Sequence, residues 1–92
     1  MTIIAAYDVS EDARRARLAA LLQAHGDRIQ LSVFVLNIGH DDLRELCRKA
    51  GDIIDVERDS LYFFRQCETC WNAIDYLGQA APPSPELAWI VL

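Results

Sequence analysis

Ninety-two residues suit one domain and leave no room for two. Hydrophobic residues make up 52% and charged residues 25%, which supplies a packed core and argues against a disordered chain. The net charge of -5, from 9 basic and 14 acidic residues, counts against a general nucleic-acid binder, because phosphate affinity comes from Lys and Arg.

The charge is unevenly spread. Residues 1–34 hold Arg14, Arg15, Arg17 and Arg28 against Asp8, Glu11, Asp12 and Asp27, whereas residues 41–60 hold seven acids against four bases. Two faces of different sign are expected. The N-terminus has no basic n-region, and Asp8 cuts its apolar run short, so no signal peptide is predicted. No run approaches the ~18 apolar residues of a membrane span. A soluble, cytoplasmic protein with no membrane partner is expected. Three cysteines, Cys47, Cys67 and Cys70, make an odd count that argues against a disulfide framework. A domain this small is often marginal alone, and oligomerisation is a common remedy, which keeps a dimer in view.

In chain order, Thr2 to Tyr7 is a β-compatible apolar run with both sides apolar, as for a central strand. Ser10 offers an N-cap for a helix from about Glu11 to Ala24, with Glu11 and Asp12 in its first turn. Leu18, Leu21 and Leu22 form its buried stripe, and Gly26 is available for a left-handed cap. Arg28 to Asn37 alternates as a strand, with Ile29, Leu31, Val33 and Val35 on the face expected to be buried. Its other face is polar, with Phe34 at its end, and Asn37-Ile38-Gly39 reads as a turn.

Asp41 or Asp42 starts a second helix, with Leu43, Leu46, Cys47, Ala50, Ile53 and Ile54 on one stripe. Gly51 is a possible early end to it. Asp55 to Asp59 reads as a loop, Ser60 to Gln66 as a strand, and Asn72 to Leu77 as a further short strand. Ala80 to Pro85 reads as a rigid linker and Glu86 to Leu92 as a last β-like stretch. The best-fitting order is the α+β, ferredoxin-like βαββαβ motif, if the second strand bends or breaks near Val35 to Asn37 and continues over about Leu36 to His40. One domain spans 1–92, with a core of about 1–78 and the linker and tail over about 79–92.

Four features bear on chemistry. Asp8 closes a central strand just before a helix, a common ligand position in α/β sheets, although a turn or cap residue also stands there. The polar face of Arg28 to Phe34 could hold a backbone phosphate, but an ordinary half-exposed strand is the simpler reading. Cys67-x-x-Cys70 is half a zinc site or a thiol redox pair, or two small apolar residues closing a strand. Neither Cys47 nor the two histidines, His25 and His40, are spaced like a second zinc half, and neither histidine has a nucleophile or carboxylate partner in sequence.

Taken as one string, Tyr7-Asp8-Val9-Ser10, Arg14-Arg15-Ala16-Arg17-Leu18 and Gly26-Asp27-Arg28-Ile29-Gln30-Leu31-Ser32-Val33-Phe34 resembles the small CRISPR-associated adaptation proteins, the Cas two family. Asp59 to Phe64 and Cys67-x-x-Cys70-Trp71 look like its later strand and cysteine pair. The resemblance implies a ferredoxin-like core and a twofold homodimer whose tail strand extends the partner's sheet. It implies a scaffold that bridges the CRISPR integrase, the Cas one protein, along duplex protospacer DNA. It further implies a metal-dependent endonuclease on RNA or DNA, with Asp8 as catalytic and metal residue and Mg²⁺ or Mn²⁺ as cofactor. Arg14, Arg15, Arg17 and Arg28 become candidates for phosphate contact, and Tyr7, Ser10, Ser32 and Phe34 candidate neighbours of the site. The chain departs from the family where an acidic residue often follows Ser-Val-Phe; here Val35 stands. The alternatives are a stand-alone toxin-type ribonuclease of the same fold, a non-catalytic RNA-binding ferredoxin-like module with aromatics on its sheet, and a zinc or redox protein built on the cysteine pair.

Overall fold

The computed structural model describes residues 1–78, so the linker and tail strand expected over 79–92 lie outside the described residues. Its elements are β1 (Thr2–Asp8), α1 (Asp12–Gln23), β2 (Gly26–Gln30), β3 (Val33–Asn37), α2 (His40–Ile53), β4 (Ser60–Gln66) and a short α3 (Glu68–Asn72). The first six give the expected βαββαβ order. The sheet runs β2-β3-β1-β4, with every neighbouring pair antiparallel. β1 and β3 are therefore central and β2 and β4 are edges.

Alternation along the strands sends neighbouring side chains to opposite faces. One face carries Ile3, Ala5, Tyr7, Phe34 and Leu36, all buried with Leu18, Leu22, Leu43, Leu46 and Ala50 of the helices in a single core. Both helices thus cover the same side of the sheet. Leu61 and Phe63 of β4 lean on the same core. The other face carries Ile4, Ala6, Val33, Val35, Tyr62 and Phe64, aligned by the registers Ile4 with Val35 and Phe64, and Ala6 with Val33 and Tyr62.

Several local expectations are corrected. The segment expected as one strand from Arg28 is a hairpin that turns at Leu31-Ser32, not near Val35 to Asn37. Phe34 and Leu36, rather than Leu31, Val33 and Val35, face the core; Leu31 at the turn is 85% exposed. The N-cap of α1 is Glu11, whose carboxylate accepts from the Arg14 backbone N–H at 3.0 Å, and not Ser10. Gly26 is not a left-handed cap. It opens β2, where a Cβ would stand 1.9 Å from the Val35 carbonyl oxygen, so the close approach of two strands is what requires glycine. Gly51 does not end α2, since its Cβ position is open and the helix runs on to Ile53. Cys47 is exposed as a residue despite its place on the stripe. Asn72 to Leu77 is no strand: the chain forms α3, anchored by Trp71 at 2% exposure, and then continues without regular structure.

Candidate functional site

Asp8 is the last residue of β1, paired in register with Ser60 at the start of β4. It is exposed. Alternation puts it on the same face as Ile4 and Ala6, the face the helices leave uncovered. The residues around it in sequence are fixed by a different acid. Asp59, buried at the foot of β4, accepts from Arg14 Nε at 2.8 Å and Arg14 Nη2 at 3.2 Å. It also accepts from the backbone N–H groups of Asp55 at 2.9 Å and Ser10 at 3.3 Å.

These bonds, that of Arg14 first, hold the Asp59 carboxyl well below the usual carboxylate range. The same contact raises the Arg14 guanidinium above its ordinary value. Asp59 thus ties together the start of β4, the 55–59 loop and the β1–α1 turn that follows Asp8. Sequence reading placed Asp59 in a loop and gave it no role. The local signals are its position before a strand and the Asp55 N–H four residues back; its Arg14 and Ser10 partners lie 45 and 49 residues away.

The remaining candidates fall into a second group. A cleft of about 470 Å³ opens between α1 and the β2–β3 turn, lined by Tyr7, Asp12, Arg15, Arg28, Leu31 and Ser32 among others. The Tyr7 hydroxyl donates to the Leu31 carbonyl at 3.1 Å, and its backbone N–H donates to the Ser32 carbonyl at 3.0 Å, which fixes the turn against β1. Arg28 lies over the Phe34 ring, 5.1 Å from its centroid, and Phe34 stacks on Tyr7 at 6.3 Å. Arg15 donates to the Val9 carbonyl at 2.8 Å and pairs with Asp12. Arg17 is exposed on α1.

Tyr7, Arg15, Arg28 and Ser32 are therefore brought together, with Phe34 beneath Arg28. Tyr7 and Phe34 are core residues on the covered face, across the sheet from Asp8. Ser10 is exposed and turns its backbone toward Asp59. Arg14 is committed to Asp59. Among the described residues no three His, Cys, Asp or Glu side chains group as metal ligands.

A split βαββαβ sheet, covered by helices on one side only among the described residues, with a solvent-facing carboxylate at the end of a central strand and an arginine-lined flank, defines a small α+β protein of the ferredoxin-like class. The chain belongs to the family described as CRISPR associated protein Cas2, whose model matches residues 1–74. It is 36% identical over 84 residues to CRISPR-associated endoribonuclease Cas2 1 of Chloroflexus aurantiacus, covering 90% of each chain. It is 41% identical over 82 residues to CRISPR-associated endonuclease Cas2 2 of Thermus thermophilus, covering 89% of this chain and 84% of that protein. The crystal structure of the hypothetical protein TT1823 from Thermus thermophilus superposes with a TM-score of 0.81 at 32% identity, covering 90% of this chain and 96% of that one. No helix among the described residues is long and apolar enough to cross a membrane.

Proposed function

We propose that the chain works as a twofold homodimer in CRISPR adaptation. It is a scaffold that bridges the integrase, the Cas one protein, along duplex DNA, with a metal-dependent endonuclease site for RNA or DNA phosphodiesters built from Asp8 of both copies. The observation that carries this reading is the position of Asp8 on the uncovered apolar face of the sheet. Tyr62 and Phe64 on that face are 59% and 50% exposed. A twofold interface uses the same patch on both subunits, so packing this face on its copy repeats every feature near the axis. One exposed Asp8 then becomes two. The outer edge of β4 is unpaired among the described residues and suits a strand added from the partner's tail. Relatives carry the names endoribonuclease and endonuclease, which supports phosphodiester chemistry.

The two Asp8 carboxylates are the residues that would hold Mg²⁺ or Mn²⁺. Mg²⁺ commonly takes one or two protein carboxylates and fills its remaining positions with waters and substrate phosphate oxygens, so the two Asp8 carboxylates of a dimer fit such an ion. When bound, such an ion supplies charge stabilisation at the phosphoryl group and an activated water. The chain's own part is to hold these carboxylates on rigid strand ends, with Asp59 and Arg14 pinning the turn behind them. Arg15, Arg17 and Arg28 bind the nucleic-acid backbone.

Asp8→Ala tests the site directly. The expected result is loss of Mn²⁺ binding by calorimetry and loss of cleavage, with dimerisation and capture of the integrase intact. Unchanged metal affinity and cleavage would remove Asp8 from the mechanism. Integration assays with the same variant separate scaffold from nuclease, since a scaffold keeps integration without Asp8.

The stacked pair Tyr62 and Phe64, with ring centroids 5.8 Å apart, favours a second reading as an RNA-stacking platform. Sedimentation distinguishes the two: a dimer buries these rings, whereas a monomer leaves them open to bases, and Tyr62→Ala then lowers single-stranded RNA affinity.

A further inference from the structure

Cys67-x-x-Cys70 is the motif that the proposed function leaves unused. It lies at the opposite end of β4 from Asp8: Ser60 pairs with Asp8, and Gln66, which precedes Cys67, pairs with Thr2. A strand of this length spans ~20 Å. The pair follows the strand, but neither cysteine packs there as a small apolar residue: both are exposed. Cys67 follows the strand directly, and its Sγ accepts a hydrogen bond from the backbone N–H of Cys70 at 3.3 Å. That bond folds the Cys67 side chain onto the turn that carries Cys70. Trp71, 2% exposed, anchors the turn in place. No third metal-ligating side chain groups with the pair among the described residues, short of the four that structural zinc takes. Two-electron thiol chemistry is what the arrangement can perform.

We propose that Cys67 and Cys70 form a dithiol site that exchanges with a low-molecular-weight disulfide of the glutathione class and closes to an intramolecular disulfide. In the first step the Cys67 thiolate attacks one sulfur of the small disulfide. A Cys67–glutathione bond forms, the original S–S bond breaks, and one glutathione thiolate leaves. In the second step the Cys70 thiolate attacks Cys67 Sγ, forming the Cys67–Cys70 bond and expelling the second glutathione thiolate. The protein loses two electrons and two thiol protons; the small disulfide gains the electrons, and its two thiolates take up the protons.

The acidities run in the direction the roles need. Hydrogen bonds from the Cys70 side chain and backbone hold the Cys67 thiol below its ordinary value, and the same contact pushes Cys70 up. Burial pushes the Cys47 thiol up. The thiolate is the attacking species, so Cys67 is the nucleophile, Cys70 the resolving thiol and Cys47 an internal control.

The test uses the full 92-residue chain. Reduced protein is equilibrated with mixtures of oxidised and reduced glutathione at neutral pH, quenched by alkylation and read by peptide mass spectrometry. Cys67 and Cys70 are expected to become protected together, within one chain, while Cys47 stays alkylatable. Cys70→Ser should stop at the mixed disulfide on Cys67. Iodoacetamide should label Cys67 faster than Cys47, following its greater thiolate fraction. Labelling at equal rates on all three cysteines, a mixed disulfide persisting in the unsubstituted protein, or a disulfide between chains would each overturn the proposal. Circular dichroism of each variant confirms that the readout comes from folded protein. Asp8→Ala is expected to oxidise like the unsubstituted chain, so the dithiol stands or falls apart from the nuclease reading.

Discussion

The two faces of one sheet are both apolar, yet only one is covered. On β1, Ile3 and Ala5 are fully buried under α1 and α2, while Ile4 and Ala6, one residue along, are only half-buried. The neighbouring strand β3 repeats the contrast through Phe34 and Leu36 on one side and Val33 and Val35 on the other. Alternation alone makes both faces fit for burial; the two helices cover only the first. The covered face supplies the chain's own stability, and Asp8 stands on the side the two helices leave uncovered.

The largest expected effect lies on the covered face. Phe34→Ala removes a fully buried ring that stacks on Tyr7 and carries Arg28 over its face. The expected loss is about 3–5 kcal/mol by urea denaturation, a large share of the stability of any small domain. Next comes the acid that pins the site. Asp59→Ala should lower Tm by roughly 5–10 °C, because Arg14 and two backbone N–H groups lose their acceptor.

Asp59 also sets a pH dependence. Its folded-state acidity is shifted below the ordinary value of 3.8, so its contribution is fully present above that value and is lost as the pH falls through the lower, folded-state one. Thermal melts from pH 6 downward should therefore show stability falling from about pH 4, and Asp59→Asn should flatten that part of the profile.

The uncovered face predicts a smaller effect on folding and a larger one on assembly. Tyr62→Glu with Phe64→Glu should change the stability of the monomeric fold by less than about 1 kcal/mol, since both side chains already face solvent. Sedimentation should nevertheless report a monomer where the unsubstituted chain is a dimer. A dimer that survives both charges would place the interface elsewhere and dissolve the argument that pairs the two Asp8 residues.

Much of the frame was legible in the sequence. The runs Thr2 to Tyr7 and Ser60 to Gln66 and the stripe of α2 are long and periodic, and each element formed where its pattern lies. The Leu31-Ser32 turn was poorly legible, because of the usual turn markers it holds only Ser, the weaker one, and none of Gly, Pro, Asn or Asp. Alternation gave the two sets of residues on the hairpin but not which set the helices would cover, so Phe34 was read as the end of a polar face. Asp8 stood out by position. Asp59 did not, because its function is a contact with Arg14 that only the folded chain makes. The cysteine pair was visible as a motif, but its exposure depended on the turn into α3.

The smallest expected effect concerns the arginines, and it separates structural from binding roles within one helix. Arg14 spends its Nε and Nη2 donors on Asp59. Arg17 is exposed and makes no side-chain hydrogen bond among the described residues, and Arg28 covers Phe34 with one face while its edge stays open to solvent. If the nucleic-acid backbone runs along this flank, each phosphate held by Arg17 or Arg28 contributes counterion release. Arg17→Ala and Arg28→Ala should each lower the slope of log affinity against log salt by about 0.9 on duplex DNA. Arg14→Ala should lower Tm and leave the slope alone. Fluorescence anisotropy across a salt series, run beside thermal melts, measures both. A slope that falls as much for Arg14→Ala as for Arg17→Ala would mean that the guanidinium leaves Asp59 for phosphate, and that binding is paid for by loosening the turn behind Asp8.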